Sequence, residues 1–276
     1  MSMRSFWKIV ETVIQESNIV LEVLDARMPE LTRNKKAENL VRTSKKSLIL
    51  VINKADLISN SLIEEYKRNY DGIAPCLFIS TRNRYGISIL KKKIFEMVKK
   101  RSQKDLIKVG VIGYPNTGKS SVINALAGRK KAKVGAKPGW TRGIQWVTGG
   151  HGIRLIDTPG VIPLTEGDEV NKALMCMLDA SEVSDPEAVV RKIVEMFFDQ
   201  NKESFENFYR IKIGDKNFEG IIEEIGKARK MLKKGGKIDE RRVYVSLIND
   251  WQKGKLLLAE SVDVYIQTKL NATTTQ

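Results

Sequence analysis

Histidine and cysteine are nearly absent from this chain, with one His and two Cys in 276 residues. Cys76 and Cys176 lie far apart and fit no metal-binding spacing, so both are expected as buried, reduced thiols of a cytoplasmic protein. His151 falls in a turn signature and is expected as a surface residue rather than a catalytic one. No apolar run reaches membrane length and no leader pattern opens the chain, so a soluble protein without stable membrane insertion is expected. Acidic residues are scarce in one stretch. From Lys91 to Arg142 fifteen Lys and Arg face only Glu96 and Asp105, and this stretch carries +13, the whole chain +15. A solvated helix face and compensation of bound phosphate account for part of that excess. The rest implies polyanionic partners, nucleic acid foremost.

What is present is organised around Gly113–Ser121, G-Y-P-N-T-G-K-S-S. An apolar run, Ile107–Ile112, precedes it and a helical pattern, Val122–Ala127, follows. Strand, Gly-rich loop and helix in that order form a phosphate cradle. Gly113 and Gly118 let the backbone approach an anion, and the N–H groups of Tyr114, Pro115–Thr117 excepting the proline itself, and Ser121 supply donors. Lys119 is placed for the β- and γ-phosphates and the Ser120 hydroxyl for Mg²⁺, at a helix N-terminus that favours anions.

Along the chain, residues 5–16 carry apolar groups at helical spacing, and Ile19–Leu24 reads as a buried parallel strand ending in D-A-R-M-P. A short helix is expected at 34–44. Leu48–Ile52 is a strand that delivers Asn53-Lys54-Ala55-Asp56, and Asn60 or Ser61 caps a helix to about Tyr70. Cys76–Ile79 is a short strand ending at Ser80-Thr81, and 86–100 is a helix with its basic side outward. Ile144–Val147 and Ile153–Ile156 bracket a hairpin, the second strand ending in Asp157-Thr158-Pro159-Gly160. Beyond Asp185 the pattern is helical only, with helices expected at 186–199, 217–234 and 239–253. The fold class expected is α/β: a P-loop domain over 1–182, a helical domain over 183–262, and a tail over 263–276 that ends in disorder.

N-K-A-D at a strand end suits guanine. The Asp56 carboxylate can accept from guanine N1–H and its exocyclic amine together, a donor pair adenine lacks. Asn53 would face the base edge, Lys54 would lay its stem on the ring, and Ser80 and Thr81 would meet the far edge. Asp157 is placed to hold a Mg²⁺ water, the Gly160 N–H to sense a γ-phosphate, and Thr141 in P-G-W-T-R to ligate Mg²⁺. The order is rearranged: N-K-A-D and S-T precede the phosphate loop, Thr141 and D-T-P-G. A circular permutation reconciles this, because joined termini and a new cut preserve every contact of the site.

D-A-R-M-P, N-K-A-D, G-Y-P-N-T-G-K-S, P-G-W-T-R, D-T-P-G and G-G-K-I-D-E-R-R together resemble the circularly permuted ribosome-assembly GTPases, the YlqF/RbgA and YawG group of the TRAFAC class. The resemblance implies GTP hydrolysis tied to large-subunit maturation and contact of the helical domain over 183–262 with ribosomal particles or rRNA; a monomer is expected. The residues it makes catalytic are Lys119, Thr141, Gly160 and Asn116; Asn116 resembles an asparagine that ligates K⁺ beside the phosphates in related GTPases. Val161 stands where many GTPases place a water-orienting Gln, which implies slow intrinsic turnover. Bacterial members carry an N-terminal histidine tied to hydrolysis, and residues 1–17 here contain none. The competing reading is a GTPase whose basic surface serves a membrane or an acidic protein.

Overall fold

A computed structural model describes residues 3–98, 106–128, 145–149, 152–157 and 169–256. The chain divides into two compact units, Met1–Thr165 and Glu166–Gln276.

In the first unit the described elements run α1 (Met3–Glu16), β1 (Ile19–Asp25), α2 (Pro29–Thr32), α3 (Lys35–Thr43), β2 (Ser47–Asn53), α4 (Asn60–Tyr70), β3 (Cys76–Phe78), α5 (Ile87–Met97), β4 (Ile107–Ile112), α6 (Lys119–Ala127), β5 (Gln145–Thr148) and β6 (Ile153–Asp157). The strands form one sheet in the order β3-β2-β1-β4-β6-β5, parallel throughout except for β5, which runs antiparallel to β6. β1 is buried along its entire length, as a parallel strand covered on both faces must be. Alternate residues define the faces. Ile19, Leu21, Val23, Val109 and Val111 pack with Leu90, Ile94, Val122 and Ile123 of α5 and α6. On the opposite face α1 approaches closely at Gly110, where a Cβ would collide with the Ser17 side chain. α1 and α3 cover that side.

Caps follow the sequence with one correction. Ser59, not Asn60 or Ser61, caps α4 by accepting from the Leu62 N–H. Asn34 caps α3 by accepting from Ala37 N–H, and Asp185 caps the first long helix of the second unit through Ala188 N–H.

The second unit contains α7 (Glu169–Leu174), α8 (Pro186–Gln200), α9 (Lys202–Tyr209), α10 (Phe218–Ala228) and α11 (Glu240–Gln252). Of the described residues, 169–182, expected in the first domain, fall in this unit. The physical reason is visible at α7: Trp251 donates from its indole nitrogen to the Leu174 carbonyl at 3.0 Å, and Gln252 donates to the carbonyls of Ala173 and Leu178 at 3.1 and 2.9 Å. α9 lies between the helices expected at 186–199 and 217–234 and is additional to them. The expected helix 217–234 stops at Ala228, because Lys230 turns into the left-handed region (φ 54°). A small hairpin follows, bridging Leu232 and Ile238. Among the described residues no helix is long and apolar enough to cross a membrane.

Candidate functional site

Parallel pairing brings the carboxyl ends of β1, β2, β4 and β6 to one edge. In the register Asp25 lies beside Asn53, and Val111 beside Asp157. Chain order reverses direction between β1 and β4, and that switch point is where open α/β sheets bind ligands. The loops after these strands are D-A-R-M-P, N-K-A-D and the Gly113–Gly118 loop.

The loop after β4 is shaped for close approach. Gly113 (φ 142°) and Gly118 (φ 99°) occupy backbone conformations that L side chains rarely adopt, and Asn116 sits at φ 59°. A Cβ on Gly113 would strike the Val23 carbonyl, and one on Gly118 would strike Asn53 Nδ2. Gly118 caps α6, so the helix N-terminus opens directly on the loop, with Lys119 and Ser120 as its first residues. Pro115 and Ser121 flank the turn on either side, the latter half-buried in α6. Inside the loop Thr117 donates its hydroxyl to the Tyr114 carbonyl at 3.0 Å. Lys119 is buried and donates to the same carbonyl at 2.7 Å. Burial and the nearby Glu22 raise the Tyr114 phenol.

Asn53 ties this loop to the other half of the site. It is buried, donates from Nδ2 to the Thr117 carbonyl at 2.9 Å, and accepts the Thr81 N–H at 3.2 Å. One side chain therefore fixes the phosphate loop, the N-K-A-D turn and the S-T turn together. Ser80 is buried and holds its own turn, accepting from the Asn83 N–H at 3.1 Å. Asp56 lies half-buried in a single 3-10 turn, Ala55–Leu57, where its carboxylate can accept two parallel donors. Lys54 enters that turn at φ 64°.

Of the remaining candidates, Asp157 ends β6 next to the phosphate-loop strand. Thr141, Gly160, Val161 and His151 lie outside the described residues, as do 129–144 and 257–276. Sequence reasoning did not single out the Asp25–Arg27 pair, which is bonded to Lys54 of N-K-A-D; D-A-R-M-P carried only the resemblance. The signal available was an acid and a base two residues apart, Asp25 and Arg27, where a buried strand ends.

The comparisons meet this geometry. YlqF from T. maritima, solved in GDP-bound and GNP-bound forms, superposes with TM-scores of 0.62 and 0.60 at 25% identity. The match covers 92% and 91% of this chain and 99% and 94% of those. The chain belongs to the circularly permuted, YlqF-like GTPases. The family described as "50S ribosome-binding GTPase" matches residues 108–232, beginning at the phosphate-loop strand as the permuted order of a YlqF-like chain requires. A GTP-binding protein of Methanocaldococcus jannaschii is 36% identical over 90% of this chain and 65% of its own length. The nuclear GTP-binding protein NUG1 of Saccharomyces cerevisiae is 32% identical over 93% of this chain and 56% of its own. This YlqF-like chain thus spans between about half and two-thirds of those curated relatives.

Proposed function

We propose that the chain binds GTP and hydrolyses it to GDP with Mg²⁺, as a nucleotide-dependent switch acting on ribosomal particles of the large subunit. The observation that carries the reading is the Asn53 strap, which joins two motifs that lie 64 residues apart and in permuted order. In this reading Asp56 recognises guanine, while Asn53, Ser80 and Thr81 shape the base pocket. The N–H groups of Gly113–Ser121 cradle the phosphates. Lys119 leaves the Tyr114 carbonyl to meet the β- and γ-phosphates.

The donor set fits a hard cation. Ser120, the second residue of α6, and Asp157, at the end of the adjacent strand, are residue types that bring oxygen ligands. Ser120, Asp157 and Thr141 would hold Mg²⁺, which supplies charge neutralisation at the phosphates. Gly160 would sense the γ-phosphate, and Asn116 would hold a K⁺ that offsets developing charge in place of the missing Gln.

The exposed cations Lys230, Lys233, Lys234, Lys237, Arg241 and Arg242 support RNA contact by the second unit. Arg229, in the same stretch, is committed elsewhere: it is half-buried and bridges Asp250 at 2.5 Å. The reading places the protein in the cytoplasm as a monomer. Cosedimentation with large ribosomal subunits, in GDP or a non-hydrolysable GTP analogue, tests it. Binding favoured by the analogue and weakened by salt is expected. Binding to anionic liposomes but not to subunits would favour a membrane role instead.

A further inference from the structure

Asp25, the last residue of β1, is a heavily engaged carboxylate. Its Oδ1 accepts the Arg27 backbone N–H at 3.1 Å and Arg27 Nε–H at 3.0 Å, and its Oδ2 accepts an Arg27 terminal N–H at 2.8 Å. Oδ2 also accepts Lys54 Nζ at 2.6 Å. The Asp25 and Arg27 side chains are 4% and 3% exposed, whereas Lys54 is 21% exposed. The ion pair is therefore anchored at a dry end, with the lysine as its more exposed member. Thr32 closes the turn, accepting the Asp25 N–H at 3.1 Å and donating to the Met28 carbonyl at 2.8 Å. Burial alone would raise the Asp25 carboxyl, but Arg27 and Lys54 outweigh it and hold the group well below the usual carboxylate range. It stays ionised.

The Arg27 fork fixes the plane of this carboxylate, so the direction of the remaining Oδ2 lone pair is also fixed. A lysine stem is long and flexible, and its ammonium would otherwise sample many positions, including the phosphates. We propose that Asp25, locked in plane by Arg27, is a positioning residue for Lys54. It holds the ammonium away from the phosphates and lays the apolar stem in advance where the guanine face docks. This inference rests on the guanine-nucleotide reading above. It assigns to the D-A-R stretch the preorganisation of the N-K-A-D lysine, and leaves Lys119 as the lysine of the phosphate loop.

A double-mutant cycle on affinity for N-methylanthraniloyl-GDP, read by fluorescence, separates positioning from simple bracing of the fold. The variants are Asp25→Asn, Lys54→Met and the pair together. With Lys54 present, Asp25→Asn should weaken binding about tenfold; with Met at 54 the same change should cost less than about twofold. Equal losses in both backgrounds, or no loss with Lys54 present, would overturn the proposal. Asp25→Asn leaves the Arg27 charge buried without its partner and can unfold the chain. A second measurement therefore uses the wild type. In ¹⁵N spectra of the GDP-bound protein, the ammonium signal that Lys54→Met removes should exchange slowly with water. Exchange as fast as that of exposed lysines would also overturn it. The wild-type titration keeps the two ideas apart: no binding refutes the nucleotide reading, whereas binding without coupling refutes only the role of Asp25.

Discussion

Asn53→Ala removes both hydrogen bonds of the strap at once. The Thr117 carbonyl, in a residue 1% exposed, loses the Nδ2 donor, and the half-buried Thr81 N–H loses its acceptor. Each buried group left without a partner costs about 1–3 kcal/mol, the lower end applying where water can reach it, so a total of about 2–4 kcal/mol is expected for the first unit. The chain has two units, so a whole-protein midpoint mixes them. Amide hydrogen exchange in β2 and β4, followed through urea unfolding, reads the first unit alone. Asn53→Asp provides the control. It keeps the acceptor for Thr81 N–H but sets a carboxylate against the Thr117 carbonyl. The Thr81 amide should then stay protected while the phosphate loop loosens. A loss below about 0.5 kcal/mol for Asn53→Ala, the range of an ordinary surface change, would refute the reasoning that one buried amide holds the two halves together.

Glu22 supplies a pH test. It is fully buried and its Oε1 accepts the Asn34 N–H at 2.7 Å. Burial, and then Glu38, push its carboxyl well above the ordinary 4.5, against the opposing pull of the Asn34 N–H and Arg33. The folded chain thus keeps a proton that the unfolded chain gives up. This contribution to stability is fully present below pH 4.5 and is lost as pH rises from there toward the folded value. Glu22→Gln should flatten that fall in urea unfolding between mildly acidic and neutral pH, and an unchanged slope would contradict the assignment. Asp25 acts in the opposite sense: its depressed carboxyl stabilises the fold above 3.8, and that stabilisation is lost as pH falls below it. Turnover of GTP in K⁺ and in Na⁺ tests Asn116. A faster rate in K⁺ that Asn116→Ala abolishes is expected, and equal rates would remove the cation from the account.

Much of the first unit is legible in the sequence because its strands are buried on both faces. Leu48–Ile52 is a continuous apolar run for that reason, and Ile19–Leu24 and Ile107–Ile112 are apolar but for Glu22 and Lys108. The nucleotide motifs are legible because their chemistry needs particular residues at short spacing. The strap is not, since Asn53 and Thr117 are 64 residues apart and only the sheet order makes them neighbours. The hold of Asp25 on Lys54 is hidden in the same way, across 29 residues. In the second unit the misreadings have tertiary causes. Gly235-Gly236 is a plausible helix stop, yet α10 ends earlier, at a place where Gly226 packs against Ile238 so tightly that a Cβ would collide. Nothing local ties α7 to α11; the indole of Trp251 and the amide of Gln252 do.

The central claim is that the permuted motifs build one guanine-selective site, and competition for bound N-methylanthraniloyl-GDP tests it most directly. GTP should displace the probe from the wild type while ATP at the same concentration does not. Asp56→Asn should shift the preference to xanthine nucleotides, whose C2 oxygen can pair with an amide donor. ATP competing as well as GTP, or an Asp56→Asn variant that keeps its guanine preference, would contradict the account.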